Sequence, residues 1–144
     1  MKLSTRGRYG TRALLQIALR YDEGPISVKD IANIEGLSWR YLTHVMRPLV
    51  KGGVLRSAQG TGGGMSLTRR PKDIRLSEVV KLLEGSIAPV DCVTDAGICS
   101  KSAHCVTRDL WCELEQAIYG VLDAISLQEL VDRQKVAEEA AAVK

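Results

Sequence analysis

A glycine-containing connection between two short amphipathic patterns constrains the fold of this chain more than any other feature. Ser27 offers a helix N-cap that Asp30 can answer three residues later, and Gly36 ends this first pattern. Ser38 then offers the N-cap of a second helix, which we predict over Trp39–Lys51. Two short helices joined in this way are typical of a helix-turn-helix, although a helical hairpin with no ligand has the same pattern.

The second helix of this pair has an N-terminal face suited to nucleic acid. Its apolar positions recur at helical spacing, which leaves Arg40, Tyr41, Thr43 and His44 exposed near the start. In a helix-turn-helix, residues at this end face base edges in the major groove. Arginine and histidine can donate hydrogen bonds to guanine, and a threonine methyl can contact a thymine methyl. The pattern therefore predicts a recognition helix.

A glycine-rich segment follows the recognition helix and predicts a β-hairpin wing. Two short strands are indicated at Val54–Ser57 and Met65–Thr68, separated by the sequence AQGTGGG. Such a tip can approach a phosphate backbone closely, and it lacks the Lys-Ser or Lys-Thr that a nucleotide-binding P-loop requires. Side chains that suit phosphates bracket the hairpin, namely Arg56, Gln59, Arg69, Arg70 and Lys72.

Three further helical patterns flank this region. One runs over Thr5–Tyr21, and another runs over Glu78–Glu84 with Ser77 as its N-cap. Near the C-terminus, Ser126 caps a short last helix that we predict to run through Val131. The tail beyond it, ending in AEEAAAVK, has no apolar periodicity and is expected to fray.

The longest apolar stripe lies in a helix predicted over residues 106–126. At about 1.5 Å per residue, this helix would be roughly 30 Å long. Its stripe exceeds what a 144-residue winged helix needs for its own core. It therefore predicts the interface of a homodimer. In such a dimer the two winged helix-turn-helix units, here called reading heads, would match two half-sites of DNA. The stripe comprises Leu110, Trp111, Leu114, Ala117, Ile118, Val121, Leu122 and Ile125.

Three of the four cysteines lie in a polar segment, Asp91–Arg108, with C-x6-C-x5-C spacing. A free cysteine is usually a small buried residue, so three in a loop rich in Gly, Ser and Asp are better explained as thiolate ligands. Soft sulfur donors favour zinc, copper(I) or an iron–sulfur cluster. Cys92, Cys99 and Cys105 are the predicted ligands, with core cysteines or a disulfide pair as the alternatives.

Charge is distributed very unevenly along the chain. Residues 1–75 carry 14 Lys/Arg against 5 Asp/Glu, whereas residues 76–144 carry 6 against 12. A strongly basic N-terminal half predicts a polyanionic partner. We therefore expect a mainly α-helical chain with a small hairpin wing, built as a winged helix-turn-helix DNA-binding part (1–76) and a part with the cysteine loop and a long dimerisation helix (77–144).

Several other protein classes are disfavoured. The N-terminus lacks the apolar run of a secretion signal, and no stretch approaches the length of a membrane span. We therefore expect a cytoplasmic protein with no membrane partner, in a reducing setting that keeps cysteines available for metal. A redox enzyme or electron carrier is disfavoured because the sequence has no C-x-x-C pair and no nucleotide fingerprint. We do not expect an enzyme.

With these pieces in place, the chain resembles the IscR-like family of bacterial winged-helix transcription regulators, the iron–sulfur cluster regulator and its relatives. The resemblance extends from Met1 to about Gln134. It rests on the opening MKLSTRGRYG, on LSWRYL at the start of the recognition helix, on GTGGG in the wing, and on the three spaced cysteines with LW after the third. It implies a dimeric transcriptional repressor whose three cysteines hold a [2Fe–2S] cluster, with a [4Fe–4S] cluster or none as alternatives.

The same resemblance implies a double-stranded DNA operator as the partner. It puts the family's base readers at Arg40, Thr43 and His44. Together with the basic segments around them, the predicted DNA contacts are Lys2, Arg6, Ser38, Arg40, Tyr41, Thr43, His44, Arg56, Gln59, Gly60, Thr61 and Gly62.

The chain departs from the family pattern at the fourth cluster ligand. The iron–sulfur regulator usually has a histidine three residues after its third cysteine, and here that position is Arg108. An arginine only donates hydrogen bonds and cannot ligate iron. Asp109 and His104 are the predicted alternatives. Cys112 is expected to be a packing cysteine, because it would lie about 10.5 Å along the helix from Cys105.

The resemblance does not distinguish between sensory inputs. Relatives that sense nitric oxide or iron share the three-cysteine plan, and the same fold with zinc or bare thiols would sense redox state by forming a disulfide. Some family members act by binding a metabolic enzyme. We predict a DNA-binding regulator whose affinity or site choice depends on cluster occupancy, with these three as the alternatives.

Overall fold

The structure is a computed structural model that describes residues 2–143. Within this range the chain forms seven α-helices and one two-stranded antiparallel hairpin, with short 3-10 turns between some of them. The predicted class, mainly helical with a small hairpin wing, is confirmed. The elements are α1 (Thr5–Leu19), α2 (Val28–Glu35), α3 (Trp39–Lys51), β1 (Leu55–Ala58), β2 (Gly64–Leu67), α4 (Leu76–Glu84), α5 (Asp91–Thr94), α6 (Val106–Ala124) and α7 (Leu127–Ala142).

The α2–α3 pair has the capping hydrogen bonds that its sequence predicts. The Ser27 hydroxyl accepts from the backbone N–H of Asp30 at 3.1 Å, and the Ser38 hydroxyl accepts from that of Tyr41 at 3.3 Å. Gly36 ends α2 with φ of +69°, a left-handed conformation that glycine adopts without steric cost. These residues fix where each helix begins and ends, so the turn between them is short and defined.

The hairpin after α3 is the predicted wing, with each strand displaced by one residue. The strands pair antiparallel, with Leu55 opposite Leu67. Ile26, just before α2, exchanges two further backbone hydrogen bonds with Met65, of 3.0 and 2.7 Å. Because all four of these side chains are buried, the base of the wing belongs to the core. Its tip, residues 59–62, is exposed to solvent.

Two helix boundaries in the first half of the chain differ from their predictions. Helix α1 ends at Leu19 rather than at Tyr21, because residues 21–23 form a 3-10 turn. The predicted N-cap Ser77 is wrong, since α4 already begins at Leu76. The Ser77 hydroxyl instead donates to the Asp123 carboxylate of α6 at 2.7 Å, so it links two helices rather than starting one.

The last helix is longer than predicted. Ser126 caps it as expected, accepting from the backbone N–H of Glu129 at 3.2 Å. However, the tail that was expected to fray is helical to Ala142. Alanine, glutamate and lysine have high helix propensity, which sustains a helix without an apolar face. A side-chain hydrogen bond from Gln134 to Glu138, at 2.8 Å, adds support one turn apart.

A single aliphatic core joins the helix-turn-helix to the later helices. Its members come from α1, α2, α3, α4, α7 and the wing, and no aromatic residue is among the buried side chains of residues 2–143. Leu127 and Val131 of α7 are 0% and 3% exposed and belong to the same cluster as Leu14 and Leu42. Helix α7, which follows the cysteines in the chain, therefore packs against α1 and the helix-turn-helix.

Helix α6 touches this core only at its C-terminal end, where the half-buried Leu122 packs against it. None of its 19 residues is buried, although it carries the predicted apolar stripe. Val121 is 63% exposed and Leu110 is 53% exposed. An apolar cleft of about 370 Å³ lies between α4, α6 and the first residues of the chain, and Leu3 and Ile118 line it. A single chain thus leaves a long apolar surface uncovered.

Candidate nucleic-acid interface and cysteine segment

The first turns of α3 present donor side chains on a rigid support. Arg40 and His44 are exposed, and they lie four residues apart on one helical face. On the opposite face Leu42, Val45 and Met46 are completely buried. This burial holds α3 firmly in the core and leaves its outer face free to meet a partner.

Three of the predicted DNA contacts on this face also have tasks inside the protein. Ser38 caps α3, as described above. The Tyr41 ring packs edge to face against Tyr9 of α1, with ring centroids 6.3 Å apart, so it joins the two helices. The Thr43 hydroxyl donates to the carbonyl of Trp39 at 2.8 Å, so it is already engaged within α3.

The wing offers an exposed tip with a flexible backbone. Arg56 on β1 and all of residues 59–62 are exposed. Gly60 and Gly62 have φ of +90° and +78°, which only glycine adopts without strain. The glycines of the predicted wing tip thus have a conformational role, because the tip turns through two backbone conformations that other residues rarely adopt.

Two other cations predicted to flank the wing are engaged elsewhere. Arg69 is paired with Glu78 at 2.7 Å, and Arg70 is paired with Asp73 at 3.0 Å. Both pairs tie the segment after the wing to itself and to α4. Both arginines are thus already paired with carboxylates of the chain itself.

The predicted contacts at the N-terminus lie on different surfaces. Arg6 is exposed in the first turn of α1. Lys2 lines the cleft between α4 and α6, next to Glu84 and Ile118, and so lies against the later half of the chain.

A pair of aromatic–cation contacts at the start of α3 was missed by the sequence reasoning. Trp39 is 45% exposed, and its ring has the Lys29 ammonium and the Arg40 guanidinium each 5.5 Å from its centroid. An aromatic residue at the first position of a recognition helix, beside an arginine, was the available signal. The partnership with Lys29 depends on how α2 and α3 pack and was not visible in the sequence.

The cysteine segment is less irregular than predicted. It contains the short helix α5 and two 3-10 turns, at residues 96–98 and 102–104. Cys92 is half-buried on α5, Cys99 is exposed, and Cys105 is half-buried directly before α6. All are free thiols, as is the half-buried Cys112 on α6.

Arg108 and Thr107 connect this segment to the start of α6. The Arg108 Nε donates to the backbone carbonyl of Cys92 at 2.8 Å. The Thr107 hydroxyl lies 3.1 Å from the Cys105 sulfur. This hydrogen bond, with further help from the backbone N–H of Arg108, lowers the pKa of the Cys105 thiol. The thiolate is the form that binds metal or attacks a disulfide, and Cys105 reaches this form at a lower pH than an ordinary cysteine.

The donor atoms of the segment suit an iron–sulfur cluster, whose ligands are thiolates. His104 and Asp109, the predicted alternatives for a fourth ligand, are both exposed. Across residues 2–143, however, no three His, Cys, Asp or Glu side chains form a group that could hold a metal ion. The chemistry of the donor set therefore fits the group, whereas the described arrangement would have to draw together to bind it.

Taken together, a capped helix pair, a recognition helix on a buried support and a glycine-tipped wing define a winged-helix DNA-binding regulator. No helix in the described part of the chain combines the length and apolar character needed to cross a membrane.

Comparisons with known proteins identify the family. The model of the Rrf2 family, described as iron-dependent transcriptional regulators, matches residues 3–133. Protein rrf2 of Nitratidesulfovibrio vulgaris is 43% identical over 131 residues, covering 91% of this chain and 87% of that protein. The chain belongs to the Rrf2 family, and it is a DNA-binding transcription regulator of that family.

Solved structures agree with this assignment. The structure of CymR, the global cysteine regulator of B. subtilis, superposes with a TM-score of 0.76 at 34% identity, covering 92% of this chain and 98% of that one. The structure of T. potens IscR superposes with a TM-score of 0.75 at 36% identity, covering 97% and 90%. The resemblance to IscR-like regulators that the sequence predicted is confirmed.

Proposed function

We propose that the chain is a homodimeric transcriptional repressor that binds a double-stranded operator. Its operator affinity or site choice would change when the cysteine segment gains or loses a cluster. The observation that carries this proposal is the exposed face of α3, with Arg40 and His44 above a fully buried support, next to a solvent-exposed wing. The basic N-terminal half supplies the electrostatic attraction to phosphates.

Base readout would come from the start of α3. Arg40 would donate to a guanine and His44 to a neighbouring acceptor, while the Thr43 methyl would meet a thymine methyl. Arg56 and the wing tip, from Gln59 to Gly62, would follow the phosphate backbone and position the helix without reading sequence. Arg6 would add a phosphate contact, since it is exposed in the first turn of α1.

The dimer would form through α6. Helix α6 has no buried residue and carries a continuous apolar stripe. Exposed apolar patches of this kind mark interaction surfaces. Packing against the α6 of a second copy covers the stripe on both chains at once and creates a twofold arrangement of two α3 helices. Such an arrangement matches two half-sites of an operator.

The cysteine segment would be the sensor. Cys92, Cys99 and Cys105 would hold a [2Fe–2S] cluster, with Asp109 or His104 as the fourth ligand. A cluster held by a non-cysteine fourth ligand supplies a redox-active and exposed centre that oxidant or nitric oxide can reach. The protein's part is to bring the thiols together, and the hydrogen bond from Arg108 to Cys92 already ties the first cysteine to the helix that follows the third.

The segment can influence the reading head because it is connected to it at both sides. It follows α4, which packs in the core, and it precedes α6, whose far end is anchored. There the backbone N–H of Leu76 donates to Ile125 at 3.0 Å, and that of Leu127 donates to Ile74 at 2.8 Å. A change in the order of the segment therefore alters the angle between α6 and the head, and with it the spacing of two α3 helices in a dimer.

Anaerobic purification tests the sensory part of the proposal. The purified protein should contain iron and sulfide in equal amounts and absorb visible light, and Cys92→Ala should lose both. The Cys112→Ser variant is the matched control, since it removes a cysteine that is not among the predicted ligands. A colourless protein with full operator affinity under both aerobic and anaerobic conditions would refute cluster sensing and leave DNA binding intact.

A thiol sensor without a cluster is the second candidate, and the lowered pKa of Cys105 favours it. The similarity to CymR, a global cysteine regulator, is consistent with sulfur-linked input. In this case oxidation would join Cys105 to another cysteine of the segment. Two measurements on the metal-free protein distinguish the candidates: mass spectrometry follows disulfide formation during oxidation, and a binding titration follows operator affinity. Only a thiol sensor changes its operator affinity in step with disulfide formation.

A further inference from the structure

The start of α3 carries an aromatic side chain, Trp39, that the proposed readout does not use. Trp39 is 45% exposed at the first position of the recognition helix. Its indole has Lys29 of α2 and Arg40 of α3 as neighbours, each with its charged centre 5.5 Å from the ring centroid. We call these three residues the Trp39 cluster. The feature that calls for an explanation is the convergence of two cations from different helices on one ring.

The two cations of the Trp39 cluster lie on different elements with different duties toward DNA. In a helix-turn-helix the first helix crosses the phosphate backbone, and the start of the second faces base edges. Lys29 is in the first turn of α2, and Arg40 is in the first turn of α3. The indole is within 5.5 Å of both charged centres, so in a docked complex it would lie where the phosphate backbone meets the groove.

A cation close to the face of a tryptophan is attracted by the ring quadrupole, and this attraction restricts where the cation goes. Free lysine and arginine side chains lose much rotamer freedom when they bind, so fixing them beforehand reduces that loss. A ring shared by both would fix both. The contact also joins α2 to α3 at the edge of the interface.

We infer that Trp39 is a positioning residue for DNA binding, which holds Lys29 for a backbone phosphate and Arg40 for a base edge. The inference rests on the proposed readout by α3. It adds Trp39 to that readout as a residue that acts through Lys29 and Arg40 rather than by touching a base or a phosphate itself. It accounts for an exposed indole at this position and for the convergence of two cations on it.

The test compares variants on one operator, selected from a pool of random duplexes by the unaltered protein. Trp39→Leu should weaken operator binding about three- to tenfold. Lys29→Gln should reduce the slope of log affinity against log salt by about 1, as loss of one phosphate contact does. Trp39→Leu should also reduce this slope, and its effect and that of Lys29→Gln should be less than additive in the double variant. Trp39→Phe keeps a ring and should retain most of the affinity.

Controls separate positioning from folding and from the proposed function. Tyr21→Leu removes another exposed aromatic, 41% exposed in the turn after α1, and should leave affinity and salt slope unchanged. All variants should unfold at the same urea concentration as the parent. The inference is overturned if Trp39→Leu binds as the parent does, or if its effect simply adds to that of Lys29→Gln. Failure of the parent itself to select any operator would instead sink the proposed DNA readout.

Discussion

The Glu84 carboxylate, on the last residue of α4, binds Ser4, the residue that caps α1. It accepts from the Ser4 hydroxyl at 2.6 Å and from the Ser4 backbone N–H at 3.1 Å. The same hydroxyl accepts from the backbone N–H of Gly7 at 3.1 Å, so one side chain serves both the cap and the link between helices. Because Glu84 directly precedes the segment that leads to the cysteines, this link joins α1 to the start of that segment.

Replacing Ser4 should therefore cost more than the loss of an ordinary cap. Ser4→Ala removes the cap and the hydroxyl bond to Glu84 together, and we expect the free energy of unfolding to fall by about 1–2 kcal/mol. Ser27→Ala, which removes a cap alone, should cost about 1 kcal/mol. Urea denaturation of both variants measures the difference, and a smaller loss for Ser4→Ala than for Ser27→Ala would contradict the double role.

Gly7 should resist replacement by alanine even though it lies within a helix. A Cβ at this position would collide with the Glu84 carboxylate. Because the obstacle is the end of a flexible side chain, we expect Gly7→Ala to push the carboxylate away from Ser4 and to destabilise the protein by about 0.5–1.5 kcal/mol, as loss of a hydrogen bond does. Gly120 in α6 is the matched control, because a Cβ there meets nothing within 4 Å and alanine should stabilise by about 0.5–1 kcal/mol.

Thermal or urea unfolding tests the Gly7 prediction, and a second variant identifies the cause. In a Glu84→Ala background the collision is gone, so Gly7→Ala should then be neutral or stabilising. An equal loss in both backgrounds would mean that the carboxylate is not the obstacle.

A charge in the middle of the α6 stripe should break the proposed dimer without unfolding the chain. Val121 is 63% exposed in one copy, so Val121→Asp removes little from the core of that copy. In a packed dimer interface the same carboxylate would be buried without a partner. We therefore expect the dissociation constant of the dimer to rise by on the order of 100-fold. Sedimentation velocity measures the shift. Gln116→Glu, an exposed position off the stripe, should leave the dimer unchanged, and dimers that persist in Val121→Asp would argue for another seam.

The reactivity of Cys105 should begin at a lower pH than that of an ordinary thiol. The Thr107 hydroxyl and the Arg108 backbone N–H lower the pKa of Cys105, so its thiolate fraction rises earlier as pH increases. In metal-free protein with the other three cysteines changed to serine, the alkylation rate against pH should have its midpoint below the usual thiol range.

Thr107→Val tests the cause of this shift, since it removes the hydroxyl that contributes most to it. The midpoint of the alkylation profile should then move to higher pH. Thr94→Val, which alters an exposed threonine of α5, is the control and should leave the profile in place. An identical midpoint in Thr107→Val and the parent would show that the hydroxyl does not set the pKa.

Local signals predicted the helix-turn-helix well. Ser27, Ser38 and Ser126 each accept the hydrogen bond that their position implies, because an N-cap depends only on residues two or three places away. The same logic failed at Ser77, whose partner, Asp123, is 46 residues away on α6. A serine cannot reveal from its neighbours alone whether it caps its own helix or binds another.

The candidate site was predictable in outline and not in its contacts. Arg40 and His44 are exposed as their spacing implied. The contact of Lys29 with Trp39 and the hydrogen bond from Arg108 to Cys92 arise from packing between separate elements, which periodicity does not encode. The ligand set of the cysteine segment and the fourth ligand remain predictions.

The uncovered stripe of α6 has a consequence for how the amount of this regulator translates into control. In the proposed dimer, in which α6 packs against a second copy, the concentration of the paired form would depend on the square of the free chain concentration. When most chains are single, halving their number would reduce the paired form by roughly fourfold. Small changes in the amount of chain would then produce larger changes in the amount of the paired form.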